Sequence, residues 1–157
     1  MNINSLLNIS FGIFAFLPPG WIYMAIVILG EAFILSKCLC GAKANKRIYL
    51  TSLLSNAVSG AVGIIISMML NGGWWLVIWH PWVCSHEVNV HNSLQLKLFA
   101  IYYAVALILS VSIEFLVNHL MLKKLYASKK ILKATMWANL ASYALGTLLL
   151  VLLILFV

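Results

Sequence analysis

Four apolar runs of helical length divide the chain, at positions 21–39, 48–70, 98–122 and 134–157. Each supplies about the 20 mostly apolar residues that a helix needs to cross a hydrocarbon core about 30 Å thick. Basic residues cluster between the first and second runs and again between the third and fourth. A stretch rich in Trp and His separates the second from the third. In lipid every backbone N–H and C=O needs a partner within the protein, and apolar runs this long provide one by coiling into helices rather than by closing a barrel. The pattern therefore predicts an all-α integral membrane protein of four transmembrane helices.

The polar positions inside these runs are not scattered. Glu31 is followed by Asn56, Ser59 and Gly63, and Glu114 by Asn139, Ser142 and Gly146, so E-x24-N-x2-S-x3-G occurs twice without a gap, displaced by 83 residues. The displacement carries run one onto run three and run two onto run four, each with its direction kept. The expected architecture is two tandem helical hairpins in parallel repeat, related by a pseudo-twofold axis along the membrane normal, as in several transporter folds. The expected segments are 1–20, lying at the outer interface; 21–70, the first hairpin; 71–97, an extracytoplasmic loop; and 98–157, the second hairpin.

Charge sets the orientation. Of ten Lys and Arg, four lie at Lys37, Lys43, Lys46 and Arg47 and five at Lys123, Lys124, Lys129, Lys130 and Lys133, leaving only Lys97 elsewhere. Cytoplasmic loops carry the excess of positive charge, so both clusters face inward and both chain ends face outward. The same clusters would also be drawn to anionic lipid headgroups. A net charge of +7 does not point to nucleic acid here, because the basic residues are confined to two loops instead of covering a folded surface. With 64% apolar and 8% charged residues the composition is far from that of a soluble domain. The cell (inner) membrane, crossed several times, is the expected location. Positions 1–20 contain no Lys or Arg, so they lack the charged start of a secretory signal and are expected to be retained. Pro18-Pro19-Gly20 is expected to break any helix that precedes the first span.

Glu31 and Glu114 are two of only three acidic residues, and there is no aspartate. In an antiparallel hairpin, residues equally far from the turn lie at equal depth. The midpoints of Glu31/Asn56 and Glu114/Asn139 both fall in basic loops, so each glutamate is expected level with its asparagine, on the order of 10 Å inside the membrane. A carboxylate at bilayer depth costs about 2.5 to 3.5 kcal/mol on insertion scales, so it needs a proton or a protein partner. Asn56, Ser59 and Gly63 share one helical face, as do Asn139, Ser142 and Gly146. The small residues Ser55, Ser59 and Gly63, and likewise Ala138, Ser142 and Gly146, are expected to let helix backbones approach closely. The reading preferred for each Glu–Asn pair is a clasp that holds hairpin register. The alternative is that both glutamates form one proton- or cation-linked site. Asn118, at i+4 from Glu114, could bond it along the helix, and His119 adds polarity to the third span alone.

The loop between the hairpins contains Trp79, His80, Trp82, Cys84, His86, Glu87 and His91. Imidazole and thiolate suit zinc or copper. The spacing matches no metal motif, and the H-E-x-x-H arrangement is absent because His91 falls one position too far from His86. An interfacial loop with Trp and His at headgroup level, offering a surface to a partner, is the preferred reading. Cys38 and Cys40 end the first span while Cys84 belongs to the opposite side, so no disulfide framework is expected.

No phosphate-binding Gly-rich loop or G-x-S-x-G elbow occurs, and an intramembrane hydrolase using Glu114 and His119 is the least favoured reading. The sequence points first to a structural or assembly subunit of a membrane complex, with a partner protein or a second copy as its neighbour and no cofactor. A small transporter or channel is the alternative.

Overall fold

A computed structural model describes residues 18–41, 45–70 and 93–156. Four helices account for all but a few of these residues, and no strand occurs among them: α1, Pro18–Cys40; α2, Lys46–Leu70; α3, Ser93–Leu122; and α4, Ser128–Phe156. Within α1 and α3, Trp21–Cys40 and Tyr103–Leu122 are long and apolar enough to cross a membrane. Residues 1–17 of the interfacial segment expected at 1–20, and residues 71–92 of the loop expected at 71–97, lie outside the described residues.

The helix ends differ from the apolar runs in informative ways. Pro18, Pro19 and Gly20 do not stand outside α1; they are its first turn. The missing proline N–H costs nothing there, because the first N–H groups of a helix have no intrahelical acceptor. Gly41, with φ of 70°, follows α1, and its N–H donates to the carbonyl of Lys37 at 3.2 Å. This left-handed position is one that glycine adopts without a Cβ penalty. Asn45 starts α2 by accepting the Arg47 N–H on its side-chain oxygen at 2.9 Å, an N-cap. α4 begins at Ser128, so Lys129, Lys130 and Lys133 lie on the helix rather than in a loop.

The chain divides into two compact units, 1–24 with 62–106, and 25–61 with 107–157. Of the first, the described parts are residues 18–24 of α1, 62–70 of α2 and 93–106 of α3. The second unit contains the core, where Leu35, Leu39, Ile48, Leu122, Ile131, Ala134 and Ala138 are buried together. It is unusually polar inside. Among the described residues eight apolar and ten polar side chains are buried, the polar ones including Glu31, Ser52, Asn56, Glu114, Asn118, Thr135 and Asn139. Large apolar side chains such as Leu29, Phe33, Ile108, Leu116 and Trp137 are instead more than half exposed.

Burial also follows the 83-residue displacement. Sixteen of these eighteen buried positions form eight pairs 83 apart: 31/114, 35/118, 39/122, 48/131, 51/134, 52/135, 55/138 and 56/139. The exceptions are Ala32 and Ser36, whose counterparts Phe115 and His119 are half-buried.

A buried carboxyl network as the candidate functional site

The site lies within the second unit and begins with Glu31 on α1, which is 2% exposed. Asn56 on α2 donates from Nδ2 to Glu31 Oε2 at 2.7 Å and to the carbonyl of Ser52 at 3.0 Å. Ser52 ties the same two helices again, donating to the Ile28 carbonyl at 3.2 Å. Among the described residues Asn56 is the only hydrogen-bond donor to Glu31.

Glu114 on α3 is 1% exposed and more fully held. Asn139 on α4 donates from Nδ2 to Oε2 at 2.8 Å and to the Thr135 carbonyl at 3.2 Å. Oε1 accepts from Ser110, one turn earlier on α3, at 3.0 Å, and from Ser59 on α2 at 3.1 Å. The Ser59 hydroxyl also lies 3.2 Å from the Asn56 carbonyl. One hydroxyl carries one hydrogen, so Ser59 divides it between these two acceptors. Through Ser59 the first copy of the motif reaches the carboxyl of the second. Ser142, the counterpart of Ser59, donates to the Asn139 carbonyl at 2.9 Å and makes no bond to Glu31.

Two residues that spacing alone did not single out belong to this network. Ser110 sits at i−4 from Glu114, a spacing that puts it on the same helical face. Thr135 accepts from Asn118 Nδ2 at 2.9 Å. Asn118 therefore does not bond Glu114 as its i+4 position would allow; it crosses to α4. The Asn118 and Asn139 side-chain oxygens and His119 Nδ1 are buried without a partner. The His119 ring packs on Phe115, with centroids 5.6 Å apart.

Gly63 is exposed, and among the described residues nothing lies within 4 Å of where its Cβ would be, so none of their backbone approaches closely at that position. Gly146 is half-buried. Close packing in the second unit falls two and three turns earlier on α2, at Ser55 and Ser52, both fully buried.

A second set of contacts closes the basic end. Arg47 Nη2 donates to the Met121 carbonyl and Lys130 Nζ to the Leu39 carbonyl, each at 3.0 Å. Arg47 and Lys130 are themselves 83 residues apart. Each basic residue stands at the start of its own helix, where the dipole disfavours it, and serves the carbonyl end of another helix, where the dipole favours it. Nearby, Cys40 Sγ and Tyr126 Oη lie 2.6 Å apart. That contact, then burial, pushes the Tyr126 phenol above its ordinary pKa.

Trp79, His80, Trp82, Cys84, His86, Glu87 and His91, with the zinc or copper site they could form, lie outside the described residues. Among the described residues no group of three His, Cys, Asp or Glu side chains could hold a metal ion. Comparison with protein-family models, curated proteins and solved structures finds no match to this chain.

Proposed function

We propose that the chain is a multi-pass inner-membrane protein of two tandem helical hairpins, with both ends outside, acting as a structural or assembly subunit of a membrane complex. The observation that carries this reading is its inverted surface: Glu31, Asn56, Glu114 and Asn139 are buried while Leu29, Phe33, Ile108 and Leu116 are exposed. Lipid covers such an exterior at no hydrophobic cost, whereas water would not. Inside lipid, helices associate through polar bonds and packing, because apolar contact alone gives no advantage over lipid tails. The buried polar groups are used in this way, joining α1 to α2, α3 to α4, and α2 to α3. The segment 71–97 then offers its Trp and His side chains to a partner protein or a second copy.

A second reading, a small transporter or channel, is favoured by one contact. Ser59 brings the motif's two copies into a single network, so Glu31 and Glu114 could serve one cation-linked pathway. Vesicle reconstitution separates the two. The assembly reading expects no proton or alkali-metal flux, and an oligomer or complex in mild detergent that Trp79→Ala with Trp82→Ala disperses. Flux through a single-copy particle, abolished by Glu31→Gln with Glu114→Gln, would overturn it. Reporters at Ala44 and Ser128 should appear cytoplasmic, and one at Asn89 external.

A further inference from the structure

We infer that Glu31 and Glu114 form an occluded proton-binding site, holding one exchangeable proton between them. The inference rests on helix packing inside the second unit and is independent of whether assembly or transport is the protein's role.

Charge balance comes first. Both carboxyl groups are buried, and every side chain that bonds them is neutral: Asn56 and Ser59 on α2, Ser110 on α3 and Asn139 on α4. Neither glutamate forms an ion pair among the described residues. Other titratable side chains within two turns of the glutamates and asparagines are Lys37, Cys38 and Lys133, all exposed; the phenols of Tyr49 and Tyr143; and His119, packed on Phe115. Arg47 and Lys130 are engaged with carbonyls at the helix ends. Two carboxylates sharing one dry network cannot both stay ionised without a cation, and neutral amides and hydroxyls supply none.

The second observation is the unpartnered oxygen of Asn139. This residue is fully buried, its nitrogen rests on Glu114, and its oxygen has no donor. An ionised carboxylate has no hydrogen to offer a neighbouring acceptor, whereas a protonated carboxyl has one. One proton lowers the buried charge from two to one, and a protonated Glu114 gains a donor hydrogen on the side chain that Asn139 already bonds. Both glutamates are shielded from bulk solvent, with exposures of 1% and 2%. The bond that forms is one carboxyl O–H, and the proton is taken from and returned to water.

Infrared spectroscopy of the full chain in bilayers tests this. The wild type should show the carbonyl stretch of a desolvated protonated carboxylic acid, shifted on transfer to D2O, fading as pH is raised, and absent from the Glu31→Gln, Glu114→Gln double variant. Unfolding the wild type in SDS near pH 7 should release about one proton per chain, since an exposed glutamate is ionised there; His119→Gln should leave that release unchanged. The release measurement stands even if the double variant does not fold. No such band in folded wild type and no proton release would overturn the inference. So would loss of the band on adding sodium at constant pH, which would put an alkali-metal ion in the proton's place.

Discussion

The two copies of the motif share their residues and spacing, yet are wired differently. Among the described residues Glu31 accepts from Asn56 alone, while Glu114 accepts from Asn139, Ser110 and Ser59. The difference comes from residues around the motif. Ser110 corresponds to Val27, which has no hydroxyl, and Ser59 turns toward Glu114 while its counterpart Ser142 stays on its own helix. Asn118 and His119 likewise replace Leu35 and Ser36. The same spacing of residues can thus share one buried frame while the polar contacts concentrate around one of the two carboxyls.

The largest test of this comparison is truncation of each carboxyl. Glu114→Ala strands three donors and should cost about 2–4 kcal/mol of unfolding free energy in mixed micelles, against about 1–2 for Glu31→Ala, which strands one. Equal losses would mean that the extra donors around Glu114 contribute nothing. The cross-copy bond is next in size. A double-mutant cycle between Ser59→Ala and Glu114→Gln should give a coupling on the order of 0.5–1.5 kcal/mol, within the range for bonds between membrane helices, and the matching cycle of Ser142→Ala with Glu31→Gln about zero. Comparable couplings in both cycles would restore the symmetry that the structure breaks.

Asn118→Leu combined with Thr135→Val removes donor, acceptor and the unpartnered Asn118 oxygen together. It should be neutral or stabilising by up to about 1 kcal/mol, whereas Asn118→Leu alone should be the less stable variant. Smallest of all, Arg47→Met and Lys130→Met should each cost about 0.3–1 kcal/mol, and equally, because their carbonyl contacts have the same length. A loss confined to one of them would show that the basic end, too, has diverged between the copies.

Helix existence was legible because it depends on local quantities. Run length and the scarcity of charge inside the runs anticipated four helices, while several ends differ from the runs, α3 starting at Ser93, five residues before its run. Pro18 and Pro19 read as a break but fit a first turn, and α4 extends back through three lysines to Ser128. The Glu31–Asn56 and Glu114–Asn139 contacts followed from equal distance to a turn, which is arithmetic on one hairpin. Ser55, Ser59 and Gly63 carried one small-residue signal, yet among the described residues nothing lies within 4 Å of a Cβ at Gly63, because helix spacing is decided by which face meets a neighbour and small size only permits it.

By itself, then, the sequence determined the helical frame, its 83-residue displacement and the pairing of each glutamate with an asparagine, since periodicity and chain distance act within one segment or across one turn. Only the tertiary structure decided that Ser59 crosses to Glu114, that Asn118 goes to Thr135 instead of Glu114, and that Arg47 and Lys130 bond the ends of each other's neighbouring helices. Those contacts span up to 91 residues and depend on the rotation and offset of whole helices, which no local pattern specifies.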